Sequence, residues 1–139
     1  MTDEKAARWR EERREAAAAH GELLASRQRA ESAQAQEQIV AFLRRALTSG
    51  PSPEPLAARS YDGRARYKTP LVGWYLRRDE TVAIDTDGKF YVLTVPSSLA
   101  ARFRGVTPEP SAPPLVIGAG GKDGESIDMS HALSRVLGG

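Results

Sequence analysis

The stretch Leu71–Val95, LVGWYLRRDETVAIDTDGKFYVLTV, has the clearest strand pattern in the sequence. It contains three apolar-rich runs, at residues 71–77, 81–85 and 89–95. Asp79-Glu80 separates the first two runs and Asp87-Gly88 separates the last two. Asp-Gly between alternating apolar runs is a strong hairpin signal, because both residues tolerate the backbone angles of a tight turn. The stretch therefore predicts a three-stranded antiparallel meander.

The alternation of side chains predicts how each strand is buried. Val72, Trp74 and Leu76 share one face of the first strand, as expected for a sheet that is covered on one side. The run 89–95 is apolar on both faces, so we expect the third strand to be the best buried. Residues 115–117 are a candidate fourth strand on its far edge.

The N-terminal third predicts a long helix. From Asp3 to about Leu47 there is no proline and one glycine, and most residues are Ala, Glu, Arg or Gln, which lose little entropy in a helix. Such a helix is about 65 Å long at about 1.5 Å per residue, longer than a domain of ninety residues is wide. Large apolar residues at helical spacing are confined to its C-terminal third, at Ile39, Val40, Phe42, Leu43 and Leu47. That third is expected to dock on the core.

The predicted fold class is α+β, in three parts. Residues 1–50 form the helical arm, 51–60 a proline-rich linker and 61–139 a small α+β domain. Short helices are expected at 99–104, before Gly105, and near the C-terminus, starting at Asp128 or Ser130. Pairing of the arm with another helix through Trp9, Leu23 and Leu24 is left open.

Composition excludes several classes of protein. With 40% hydrophobic and 27% charged residues the chain is of ordinary globular composition, and no run of 18 apolar residues exists to span a membrane. The absence of cysteine excludes a disulfide framework, a thiolate zinc site and a cysteine nucleophile. The charged opening MTDEKAARWREERRE is unlike a signal peptide, so the predicted location is cytoplasmic.

The segment Arg59–Arg78, RSYDGRARYKTPLVGWYLRR, combines cations with aromatic rings. Six cations stand against Asp62 alone, a net charge of +5. Phosphates need cations and single-stranded bases need rings on which to stack, so the segment suits a nucleic acid or a polyphosphate. The candidate phosphate ligands are Arg64, Arg66, Lys68, Arg77 and Arg78, and the candidate stacking residues are Tyr61, Tyr67 and Tyr75. The alternative is that Trp74 is core and the arginines form a solvated rim.

The glycine-rich run LVIGAGGKDGES resembles the order strand, loop, helix in which phosphate-binding loops occur. Its spacing differs from the P-loop pattern, and Asp123 after Lys122 would repel a phosphate. A turn is the better interpretation.

Asp128, His131 and Ser134 share one helix face and could form an acid-base set. Neighbours on an exposed helical turn more often make capping contacts. Asp85 and Asp87 lack the closing Glu of a calcium loop, so a hairpin turn is expected there. Neither a metal site nor a cofactor is predicted.

No family resemblance assigns a function to the sequence. The favoured hypothesis is a non-enzymatic binding or adaptor protein that acts on a protein partner through its α+β domain. The first alternative is a nucleic-acid or polyphosphate binder that uses residues 59–78. The second alternative is an enzyme of unrecognised type, built on His131 with Asp128 or on the glycine loop.

Overall fold

A computed structural model describes residues 2–118 and 125–138. Its elements, in chain order, are α1 (Asp3–Ser49), β1 (Glu54–Ser60), β2 (Arg66–Tyr75), β3 (Val82–Asp85), β4 (Phe90–Val92), β5 (Thr94–Val95), α2 (Leu99–Arg104), β6 (Val116–Ile117), β7 (Ile127–Asp128) and α3 (Met129–Val136). The α+β class predicted from the sequence is confirmed. The chain divides into two compact units, Met1–Glu31 and Ser32–Gly139.

The first unit is a stretch of helix with a largely exposed surface. The Thr2 hydroxyl accepts a hydrogen bond from the Lys5 backbone N–H and so caps the helix start. Trp9 is about half exposed, and the Arg13 guanidinium lies 4.7 Å from the centre of its ring. Because its side chains are turned to solvent, this stretch is stabilised mainly by helix propensity and by contacts between neighbouring turns.

The strands of the second unit form a sheet that closes on itself. The hydrogen-bonded order is β4-β3-β2-β1-β5, and β4 and β5 are consecutive parts of the single segment Phe90–Val95. At the join, the Leu93 N–H donates to the Thr81 carbonyl and the Leu93 carbonyl accepts from the Arg59 N–H, both at 2.8 Å. All pairings are antiparallel except that of β1 with β5. The product is a small barrel.

Side chains from alternate strand positions fill the barrel interior. The buried residues on the inner faces are Leu56, Ala58, Tyr67, Ala83, Tyr91 and Leu93. Tyr91 donates a hydrogen bond to the Asp85 carboxylate at 2.9 Å, and Asp85 also accepts from the Asp87 and Lys89 backbone N–H groups. The Asp85–Lys89 turn is therefore a hairpin connection pinned by one buried carboxylate.

The outer face of the barrel makes the larger core. Trp74 and its neighbours on β2, β3 and β4 pack against α3 and against the part of α1 that belongs to the second unit. Ile39 and Phe42, two of the residues expected to dock, lie in this cluster. The rings of Phe42 and Trp74 meet edge to face with centroids 5.2 Å apart, and Trp74 Nε1 donates to the Pro51 carbonyl at 2.9 Å.

The predicted linker is corrected over most of its length, because Glu54–Ser60 is strand β1 and lies between β2 and β5. Leu56, Ala58 and Ser60 are buried at alternate positions. Proline is tolerated near the start of a strand or beside a bulge, and the β1–β2 register shifts between Pro55 and Ala57. The sequence predicts a linker here because three prolines in residues 51–55 outweigh the alternation of small side chains, which is only a weak signal for a strand.

The predicted fourth strand is also corrected. Val116–Ile117 pairs antiparallel with Ile127–Asp128 in a separate two-stranded sheet. The far side of Thr94–Val95 is occupied by β1, so residues 115–117 could not take that position.

The two short helices form where they were predicted. Ser98 caps α2, Gly105 follows it at a φ of 75°, and α3 buries Met129, Ala132 and Leu133. Among the described helices, none combines the length and the apolarity that crossing a lipid bilayer demands.

Candidate binding surface

Two of the tyrosines predicted to stack on bases are part of the barrel. Tyr67 is 2% exposed, and its hydroxyl accepts a hydrogen bond from the Ser98 N–H at 3.0 Å. The Tyr75 hydroxyl accepts from the Ala57 N–H at 2.8 Å, and burial raises the pKa of Tyr75. The stacking role predicted for Tyr67 is therefore wrong, because a ring enclosed on both faces cannot receive a base.

Arg77 is engaged inside the structure. Its side chain is 10% exposed, and its Nη1 donates to the carbonyls of Gly118 at 3.0 Å and Glu125 at 2.8 Å. These bonds tie the end of β2 to the ends of the β6–β7 connection, so Arg77 acts as a structural clamp. Arg78, its neighbour, is exposed in the β2–β3 turn.

Glu80 bonds to two arginines of the segment 59–78, and one of them, Arg66, is a predicted phosphate ligand. It bonds to Arg59 at 2.8 Å and to Arg66 at 3.4 Å, and these arginines face each other across β1 and β2. Glu80 has a φ of 61°, an uncommon left-handed conformation for a residue other than glycine. One carboxylate therefore offsets half of the charge of the arginine pair.

The β1–β2 turn presents a ring and a cation to solvent. Asp62 accepts hydrogen bonds from the Ser60 hydroxyl at 2.6 Å and from the Arg64 N–H at 2.9 Å. Both bonds lower the pKa of Asp62, and the bond from the Ser60 hydroxyl has the larger effect. Tyr61 is 72% exposed and Arg64 is exposed. The bonds to Asp62 order the turn from which both side chains project.

Helix α2 carries an exposed apolar pair that the sequence analysis did not single out. Leu99 is 73% exposed and Phe103 is 88% exposed, and their spacing of four places them on neighbouring turns. Only Ala101 is buried, while Arg102 and Arg104 are exposed beside the pair. A helix was predicted here, but its pattern does not show which side faces the barrel.

Helix α2 lies next to strand β2. The Val106 N–H donates to the Lys68 carbonyl at 2.8 Å, and Ala101 packs in one cluster with Ala65 and Tyr67. We define the hairpin–α2 surface by its exposed side chains, Tyr61, Arg64, Arg66, Lys68, Leu99, Arg102, Phe103 and Arg104.

The hairpin–α2 surface is strongly cationic. With Arg59 included, it holds six cations against the carboxylates of Asp62 and Glu80, a net charge of +4. The whole chain carries +2. The rest of the protein is therefore net negative, and the positive charge is concentrated here.

A groove of about 640 Å³ adjoins the hairpin–α2 surface and shares Arg59, Tyr61 and Asp62 with it. Its floor is apolar, with Val82, Phe90 and Ile117, and its charged lining consists of Arg59, Arg77, Asp62 and Asp79. Arg59 and Arg77 are both already bonded to protein groups. The groove therefore offers no excess charge to a ligand.

The predicted acid-base set is not assembled. Asp128, His131 and Ser134 are exposed on or beside α3, and no hydrogen bond joins them in the part of the chain that is described. Within residues 2–118 and 125–138, no group of three or more His, Cys, Asp or Glu side chains is placed to hold a metal ion. Of the glycine loop, residues 119–124 lie outside the described residues.

Comparison with known proteins found no matching family model, curated protein or solved structure. Chemically, the hairpin–α2 surface offers exposed rings, an aliphatic side chain and exposed cations, which suit binding.

Proposed function

We propose that this chain is a non-enzymatic binding protein that acts through the hairpin–α2 surface of its barrel unit. The observation that carries the proposal is the exposure of Leu99 and Phe103, at 73% and 88%, side by side on α2. Adjacent large apolar side chains left uncovered by a fold, and rimmed by polar ones, are typical of interaction sites.

The apolar pair is held in place by the backbone around it. The Ala101 N–H donates to the Ser98 hydroxyl at 3.2 Å, and the Gly105 N–H donates to the Ala101 carbonyl at 2.8 Å. The bond from Val106 to Lys68 then fixes the end of α2 to β2. Because the backbone of the surface is already held by these bonds, little backbone entropy is lost on binding.

The charge of the surface specifies the chemistry of the partner. A net charge of +4 around Phe103 favours a partner with an anionic surface and a planar or apolar group to cover the ring. An acidic protein and a nucleic acid both meet this description. A cytoplasmic location belongs to the same proposal.

Site-specific photo-crosslinking tests this function. A benzophenone amino acid replaces Phe103 in one variant and Thr86, exposed in the β3–β4 turn, in a control. We expect a discrete crosslinked product from position 103 that is missing from position 86. The captured molecule, once purified, should bind the unmodified protein at least about 30-fold more tightly than Phe103→Ser, since a central ring contributes about 2 kcal/mol or more.

Two results would overturn the proposal. One is crosslinking that is equal at positions 103 and 86. The other is a captured molecule whose affinity is the same for the unmodified protein and for Phe103→Ser.

A further inference from the structure

We infer that the hairpin–α2 surface binds single-stranded nucleic acid. The inference rests on the proposed function and names the class of partner. It keeps Tyr61, Arg64, Arg66 and Lys68 from the set that the sequence suggested. It omits Tyr67, which is buried, and Arg77, which is bonded to protein carbonyls, and it adds Phe103, which is 88% exposed.

Exposed rings provide the first argument. Tyr61 and Phe103 project from the β1–β2 turn and from α2, and at 72% and 88% exposure their faces are free. Unpaired bases stack on such rings, and each stacked base contributes about 1–3 kcal/mol. In a duplex the base faces are covered by their neighbours, so these rings would be unused.

The arrangement of cations provides the second argument. Arg66 and Lys68 occupy alternate positions on the outer face of β2, about 7 Å apart at about 3.3 Å per residue, and Arg64 precedes them in the turn. Arg102 and Arg104 lie on the adjoining helix. Cations on both elements can follow a phosphate backbone while the rings receive bases.

The small apolar area argues against an acidic protein as the partner. A standard protein interface covers roughly 800 Å² on each side, around an apolar core. Here the apolar centre consists of Leu99 and Phe103, and the exposed residues that flank Phe103 are the cations Arg102 and Arg104. Two apolar side chains with cations beside the ring suit a stacking platform better than the core of a protein interface.

Fluorescence anisotropy with the full chain tests the inference. The probes are labelled oligothymidylate and oligouridylate of about 20 nucleotides, longer than the roughly 4–16 that one small nucleic-acid-binding barrel covers. Homopolymers are valid probes because stacking tolerates any base. We expect affinity for both probes to fall linearly with salt on logarithmic axes, and a duplex of the same length to bind more weakly.

Two substitutions separate the ring from the cations. Phe103→Ala should weaken binding about 5- to 150-fold and leave the salt slope unchanged, because no charge is removed. Arg102→Ala with Arg104→Ala should flatten the slope by about 1.4, at about 0.7 for each lost phosphate contact. Circular dichroism and the fluorescence of buried Trp74 verify that each variant is folded.

Glu80→Gln is a third variant, in which binding should increase. It removes the carboxylate that holds Arg59 and Arg66, so affinity should rise and the slope should steepen by about 0.7 for each arginine that gains a phosphate. Glu37→Gln, on the exposed side of α1, makes the same change of charge and is the matched control. It should leave the slope unchanged.

The outcomes distinguish the inference from the proposed function. Three results would overturn the inference. The first is that neither probe binds at low salt, and the second is that the duplex binds as tightly as the single strands. The third is a salt slope that does not change when Arg102 and Arg104 are replaced. If a protein is nevertheless crosslinked through position 103, the proposed function stands with an acidic protein as the partner. If position 103 captures nothing and neither probe binds, both fail.

Discussion

Replacement of Phe42 by alanine should weaken the junction between α1 and the barrel. Phe42 is 3% exposed and meets the Trp74 ring edge to face at 5.2 Å. It lies in the cluster that also contains Ile39 and Leu133. Removing the ring leaves a cavity between helix and sheet that the surrounding backbone cannot fill.

The expected loss follows from burial. Truncation of a buried Phe to Ala costs about 3–5 kcal/mol. At about 4 °C for each kcal/mol in a unit of this size, the Tm should fall by about 12–20 °C. Val40→Ala removes an apolar side chain from the exposed side of the same helix and should change stability by less than about 0.5 kcal/mol.

The two tryptophans provide the assay. Trp9 is half exposed and Trp74 is 4% exposed, so a Trp9→Phe background isolates the buried reporter. Urea unfolding followed by Trp74 fluorescence then measures the junction directly. Trp74 also bonds to the Pro51 carbonyl, so its emission reports the loop that joins α1 to β1.

A small effect of Phe42→Ala on stability would contradict the packing described above. If Phe42→Ala cost less than about 1 kcal/mol, or no more than Val40→Ala, the second part of α1 would not be packed on the barrel as described. An unchanged Trp74 emission in folded Phe42→Ala would lead to the same conclusion.

Three further predictions concern the barrel and its surface. A Cβ on Gly73 would collide with the Ile84 carbonyl oxygen, so Gly73→Ala should cost about 3 kcal/mol or more of stability. The loss should appear as a lower midpoint of urea unfolding. A variant as stable as the wild type would contradict the close approach of β2 and β3. Burial, and then the bond to Asp85, raise the pKa of Tyr91 to about 12, whereas the unfolded value is about 10. The folded state therefore keeps a proton that the unfolded state loses, and stability should fall as pH rises from about 10 to about 12. The fall in the free energy of unfolding should be smaller in Tyr91→Phe. If stability fell equally steeply with pH in the variant and in the wild type, Tyr91 would not be the cause. Phe103→Ser should leave the Tm within about 2 °C of the wild type, because an exposed ring adds little to folding; a large drop would mean that the ring is packed.

Local pattern was enough to predict the helices and the hairpin stretch. The strand and turn chemistry of Leu71–Val95 and the helix propensity of the N-terminal third depend on residues close together in the sequence. The same reasoning missed β1, since three prolines dominate its local signal and its partners are remote. The parallel pairing of β1 with β5 joins residues 59 and 94 and has no local signature.

For the candidate surface, the sequence alone determined that cations and rings are concentrated in residues 59–78. The tertiary contacts show in addition that Tyr67 is buried, that Arg77 is bonded to the Gly118 and Glu125 carbonyls, that Glu80 holds Arg59 and Arg66, and that α2 lies beside β2. The physical reason is that residue type sets what a side chain can bind, whereas burial and pairing depend on which distant segments the closed barrel brings together.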